Sequence, residues 1–156
     1  MKQIHWMAMV AVGLVLPAQA ALHTSGTLDG LIPQDGVSWY SSSITVSGEA
    51  SSLTDVNVFL NLTGGYNGDL YGYLVYDSTT AVLLKRIGLT ALNPFGSAGA
   101  GMSVTLSDGA TDIHTADDAV LSGMWAPDGR AISPLSSGAV FDSASRQNGG
   151  QSAGAV

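Results

Sequence analysis

Val56, Val58, Leu60 and Leu62 fall on every second position, with Asp55, Asn57 and Asn61 between them. That period of two puts an apolar row on one face of a strand and a polar row on the other. Phe59 interrupts the polar row, so that face is expected to be partly covered. Gly64, Gly65, Asn67 and Gly68 follow, residues that tolerate the positive φ of a tight reversal. Leu70 to Tyr76 is aromatic and branched on both faces, which predicts a strand central in its sheet. Asp77-Ser78-Thr79-Thr80 forms a second turn, and Ala81 to Ile87 returns as the next strand of a meander.

The same pattern recurs more weakly elsewhere. Ile44 and Val46 alternate with Ser43, Thr45 and Ser47, predicting a modest strand over Ser41–Gly48. Met102, Val104 and Leu106 alternate with Ser103 and Thr105, predicting a clear one. Between them, Gly88 to Gly101 is a glycine-rich loop, long enough to be either pinned by Leu92 and Phe95 or functional. Residues 119–141 hold no sustained period, and Val120–Met124 has room for one helical turn. No convincing helix is expected after residue 20.

Three features of the organising stretch resemble the P domain (Homo B domain) that follows the protease domain in kexin- and furin-like proprotein convertases. They are Gly68-Asp69-Leu70 opening a strand, Leu74-Val75 soon after, and Leu83-Leu84 in the strand beyond the next turn. The likeness to stand-alone bacterial versions is closer still. It rests on Ser-Leu-Thr-Asp-Val-Asn-Val at 52–58, Gly-Gly-Tyr-Asn-Gly-Asp-Leu-Tyr at 64–71 and Asn-Pro-Phe-Gly at 93–96, and spans roughly Gly36 to Phe141. The resemblance implies an all-β, jelly-roll-like β-sandwich and a structural part for Gly68, Asp69 and Leu70. The Asp69 carboxylate would bond backbone amides at the strand entrance. It also implies an accessory, interaction or stabilising role beside subtilisin-like proteolysis.

The ends of the chain divide differently. Lys2, the apolar run Ile4–Leu16 and Ala18-Gln19-Ala20 read as a secretory signal peptide over residues 1–20. Residues 21–35 form a lead-in, 36–142 the β-sandwich and 143–156 a disordered tail of Ser, Ala, Gly, Asn and Gln with nothing to bury. The family closes its sandwich with a strand pair opened by Gly-x-Trp. Gly123-Met124-Trp125 fits that opening, but Ala126-Pro127-Asp128-Gly129 reads as a turn. The C-terminal strands are therefore expected to be missing, together with the Pro-Glu-Pro sorting segment of many bacterial relatives. Export predicts an extracellular, cell-surface or periplasmic location.

Charge and composition narrow the chemistry. The chain carries −7 formally, and −8 once Lys2 leaves with the first twenty residues. That disfavours nucleic acid and anionic membranes, and directs attention to a protein partner or cell-surface component. No cysteine is present, so no disulfide staples the fold. A serine triad needs a histidine base held between a hydroxyl and a carboxylate. Beyond residue 20 only His23 and His114 remain, and no subtilisin-like motif accompanies them, so no catalytic residues are assigned. Asp108, Asp112, Asp117 and Asp118 are the candidate ligands for calcium, the one cofactor considered. Their loop lacks the closing Glu of an EF-hand, and a solvated acidic loop is the competing account. Tyr66, Tyr71, Tyr73, Tyr76 and Trp39 raise a glycan-binding alternative, against which stand core and cross-strand packing. The sequon Asn61-Leu62-Thr63 lies inside a predicted strand and is discounted.

Overall fold

The computed structural model describes residues 21–36, 38–47, 55–117, 119–147 and 151–152. The chain divides into two compact units, Met1–Leu53 and Thr54–Val156. Among the described residues of the first there is no helix or strand, and almost every side chain is exposed. The strand expected over Ser41–Gly48 does not form over 41–47, and Gly48 lies outside the described residues. Alternation says which face a strand would bury; it supplies no neighbour to bury it against. The signal-peptide segment 1–20 is likewise outside the described residues.

The second unit is all-β with one short helix. Its strands are β1 (Val58–Leu62), β2 (Tyr71–Tyr76), β3 (Thr79–Lys85), β4 (Met102–Leu106), β5 (Leu121–Trp125) and β6 (Gln151–Ser152), with α1 at Gly138–Ser143. They form two sheets, β1-β4-β5 and β2-β3-β6. In the first, β1 and β4 run antiparallel with Leu60 opposite Val104, while β4 and β5 run parallel with Met102 opposite Leu121. The parallel pair requires a crossover, supplied by 107–120, which carries a 3-10 turn at Ile113–Thr115.

The period of two places the core. Val58, Leu60 and Leu62 on β1 share a face with Met102, Val104 and Leu106 on β4. Leu83, Leu84, Ile87, Ile113, Ala116 and Leu121 complete the buried cluster. Each such aliphatic side chain contributes about 1.5–3 kcal/mol on full burial, so this interior is the main source of stability in a chain without disulfides. Phe59 points the other way and is 63% exposed, so among the described residues the expected cover over that face is not found.

The centre of the second sheet is β3, not β2. Val82, Leu83, Leu84 and Lys85 are buried in succession, which requires cover on both faces. The backbone of 128–129 lies alongside, where Asp128 N donates to Leu83 O (3.0 Å) and Gly129 N to Val82 O (3.1 Å). By contrast β2 is an edge strand, pairing among the described residues with β3 alone and ending on exposed Val75 and Tyr76. Its aromatic richness reflects half-burial at a rim.

Two expectations at the C-terminal end are corrected. Val120–Met124, allowed one helical turn by the sequence, forms none: Leu121–Trp125 is strand β5 and carries Gly123-Met124-Trp125 into the ladder, with Trp125 opposite Leu106. Gly138–Ser143, expected to be irregular, is a helix, and its sequence has little helix propensity of its own. Packing sustains it: Phe141 is fully buried, and a Cβ on Gly138 would meet Thr90 O at 2.1 Å. Asp142 Oδ2 accepts from Ala91 N at 3.0 Å, tying α1 to the 88–101 loop. The segment read as a structureless tail also makes contacts. Gln147 N donates to Gly129 O, and Gln151 and Ser152 pair with Ala81 and Thr80; 148–150 and 153–156 lie outside the described residues.

Candidate functional site

Two loops meet back to back at one end of the second unit's described structure. After Gly64 and Gly65, both at positive φ, a 3-10 turn covers Asn67–Asp69. Gly68 N donates to Ser97 O at 2.9 Å and Asn67 N to Gly99 O at 2.8 Å, joining this turn to the 88–101 loop. The backbones approach so closely that a Cβ on Gly68 would lie 2.5 Å from Phe95 O. Gly96, at φ +73°, is equally confined: a Cβ there would lie 2.7 Å from Ile87 O. Asn93 Nδ2 donates to Gly88 O and Gly96 O, which stiffens the loop from within.

This stitching places Leu92 and Phe95 outward. Of the two accounts of the loop, pinned by these side chains or functional, the first does not hold: they are 98% and 81% exposed. Hydrogen bonds and glycine contacts hold the loop, so its large apolar side chains are free to face solvent. Tyr66, 63% exposed on the facing turn, joins Phe95, Asp69, Gly96, Ser97 and Ala98 around a shallow cleft of about 290 Å³.

Within the Gly68-Asp69-Leu70 motif, Gly68 permits the close approach and Leu70 packs half-buried against the core. Asp69 does not serve backbone amides as expected. Its exposed carboxylate sits at the cleft, 3.9 Å from Arg86 Nη2. The structural part falls to Asn67, which is fully buried and donates Nδ2–H to Gly101 O at 3.1 Å. Arg86 adopts φ +50°, a conformation uncommon outside glycine, and uses it to donate N–H to Leu70 O and Nε–H to Gly68 O.

A second cluster lies beneath the acidic loop. His114 Nδ1 is 2.9 Å from Asp128 Oδ2, and Nε2 is 2.9 Å from Leu89 O. The ring stacks on Phe141 at 5.3 Å between centroids. A carboxylate and a carbonyl can only accept, so both ring nitrogens must carry hydrogen, and the bound species is the imidazolium. Burial opposes that charge, but the Asp128 bond and charge, with the Leu89 carbonyl, outweigh burial and the nearby Arg130; the pKa is raised. Arg130 Nη2 bonds Asp112 Oδ2 at 2.8 Å, and Nη1 lies 3.3 Å from Asp128 Oδ1. Arg146 donates to Pro127 O and Asp128 O. The network fastens the crossover, the 126–130 segment and the residues after α1 to one another. As a base it is disabled, because Nε2 already donates to the backbone.

The acidic residues separate. Asp108 is exposed on a turn and Asp117 exposed in irregular backbone after the 3-10 turn, while Asp118 lies outside the described residues. Asp112 is committed elsewhere, capping His114 N with Oδ1 at 3.0 Å and holding Arg130 with Oδ2. Among the described residues no three His, Cys, Asp or Glu side chains group as metal ligands. Of the aromatic residues considered for glycan, Tyr71 and Tyr73 are half-buried on β2, and Lys85 Nζ lies 5.2 Å from the Tyr73 ring centre. Tyr76 is exposed at the end of β2, and Trp39 belongs to the first unit. Only Tyr66 of the five lines the cleft.

Sequence alone named Phe95 only as a residue that could pin its loop, and did not bring His114, Asp128 and Arg130 together. The usable signals were the paired Gly68 and Gly96, whose loops had to touch, and a histidine left over in a chain with few cations. Comparison with protein-family models, with curated proteins and with solved structures finds no match.

Proposed function

We propose that this chain is an exported, non-catalytic β-module of P-domain type, a jelly-roll-like sandwich that docks against or stabilises a protein partner associated with subtilisin-like proteolysis. The observation that carries the non-catalytic half is the doubly bonded His114 ring, which leaves no nitrogen to accept a proton from a nucleophile. The docking half is supported by the all-β unit's outward-facing Tyr66, Leu92 and Phe95, held on loops whose backbones are hydrogen-bonded together. A second reading, a cell-surface glycan-binding module, is favoured by the aromatic cleft beside Asp69.

The test mixes the purified chain with a subtilisin-like protease of the producing cell. The chain alone should cleave no peptide, and together the two should co-elute, with the protease inactivating at a higher temperature. Peptide cleavage that disappears in His114→Gln overturns the non-catalytic half. Independent elution and unchanged inactivation overturn the docking half.

A further inference from the structure

We infer that the cleft between Tyr66 and Phe95 is a subsite for a single neutral sugar ring, stacked on exposed aromatic surface with its hydroxyls held by Asp69. The inference rests on the binding-module reading and names a ligand class and a place for it.

The cleft is built rather than incidental. Its walls come from two loops joined by Gly68 N to Ser97 O and by Asn67 N to Gly99 O, at 2.9 and 2.8 Å. Two glycines occupy the contact because any Cβ there would collide with backbone. An aromatic ring held outward on such a scaffold loses little conformational freedom when a ligand arrives, which favours binding by preorganisation. Neither Tyr66 nor Phe95 belongs to the core cluster, so packing does not account for their identity.

The polar groups choose the ligand. Asp69 is an exposed carboxylate with acceptor sites to spare, and Arg86 lies beside it at 3.9 Å, holding the local charge near zero. A cationic side chain would therefore meet competition from Arg86. An anionic ligand would meet Asp69 and a chain of net charge −7. A neutral polyhydroxylated ring avoids both penalties, presenting apolar C–H faces to the aromatic surface and O–H donors to the carboxylate. At about 290 Å³ the cleft falls just below the range of drug-sized ligand sites, roughly 300–1,000 Å³. One ring fits that scale better than an extended chain.

Affinity electrophoresis tests this directly. The full chain is run through native gels containing a soluble β-glucan, an α-glucan or a galactomannan, beside gels with polygalacturonate. A fluorescent oligo-arginine peptide is titrated in parallel. At least one neutral polysaccharide should retard the protein. Tyr66→Ala and Phe95→Ala should each weaken that retardation about two- to tenfold, the range for loss of one aromatic contact. Both should leave the melting temperature unchanged, since both side chains face solvent. Phe59→Ser, on the exposed face of β1, should leave the retardation unaltered.

Mobility unaffected by every neutral polysaccharide overturns the proposal. So does retardation that both alanine variants retain. Oligo-arginine binding that vanishes in those variants, without any sugar effect, makes the cleft a basic-peptide site instead. Co-elution with the protease alongside absent sugar binding removes the sugar and keeps the module reading; loss of both removes both.

Discussion

Replacing Asp128 with Asn probes the buried network at its hinge. Asp128 is fully buried and accepts from His114 Nδ1 at 2.9 Å and from Arg130 N at 3.1 Å. Asparagine keeps the shape but withdraws the charge that sustains the imidazolium. Arg130 retains Asp112, whereas His114 must either stay charged without its carboxylate or lose a proton and leave one nitrogen facing an acceptor. Breaking one partner of a buried pair costs about 3–5 kcal/mol. For a unit of about a hundred residues, at about 4–8 °C per kcal/mol, the melting temperature should fall by at least about 12 °C. Circular dichroism melts between about pH 5.5 and 9 add a signature that lost packing would not give. The fold raises the His114 pKa, so its stabilisation is complete below the unfolded value near ~6.5 and is withdrawn as pH rises through the folded value. The parent protein should therefore lose stability toward alkaline pH, and Asp128→Asn should flatten that slope. A fall of under about 4 °C with the slope intact would refute a charged His114.

Two further outcomes test the scaffold. Phe141→Ala removes the ring that stacks on His114 and fills the floor under α1, and should cost about 3–5 kcal/mol by urea denaturation; an effect under about 1 kcal/mol would mean that α1 contributes little to the unit. Gly68→Ala drives a methyl to 2.5 Å from Phe95 O and should destabilise by about 1–3 kcal/mol while moving the Tyr66 and Phe95 resonances in NMR spectra; unchanged shifts would show that the loops are not in contact.

What was legible in the sequence was what alternation encodes. Met102–Leu106 pairs and buries as its pattern requires, and Val58–Leu62 turns the expected residues inward. The hairpin of β2 and β3 follows from Asp77, which adopts positive φ. Alternation could not tell edge from centre. The continuous burial of Val82 to Lys85 depends on Asp128 and Gly129, more than forty positions later in the chain. Nor could it find α1, which exists because Phe141 reaches His114 and Gly138 reaches Thr90. The Asp112–Arg130 and His114–Asp128 pairs join residues 18 and 14 apart, with no local spacing rule to announce them. In the 88–101 loop the sequence could not choose between pinning by Leu92 and Phe95 and a functional surface. Apolarity suits either, and backbone hydrogen bonding made burial unnecessary.

The strand order also sets a timetable. Tyr76 and Thr79 meet across a short turn, so the β2–β3 hairpin can close within microseconds of the chain becoming free. The first sheet must wait, because β1 pairs with partners forty or more positions away, Leu62 with Met102 and Val58 with Leu106. β5 can add to it only after the crossover has wrapped. Loop closure of that length delays every contact beyond it, placing the unit among the slower-folding topologies. Until 102–125 is in place, Val58, Leu60 and Leu62 remain an uncovered strip, and in that interval the chain is most exposed to self-association.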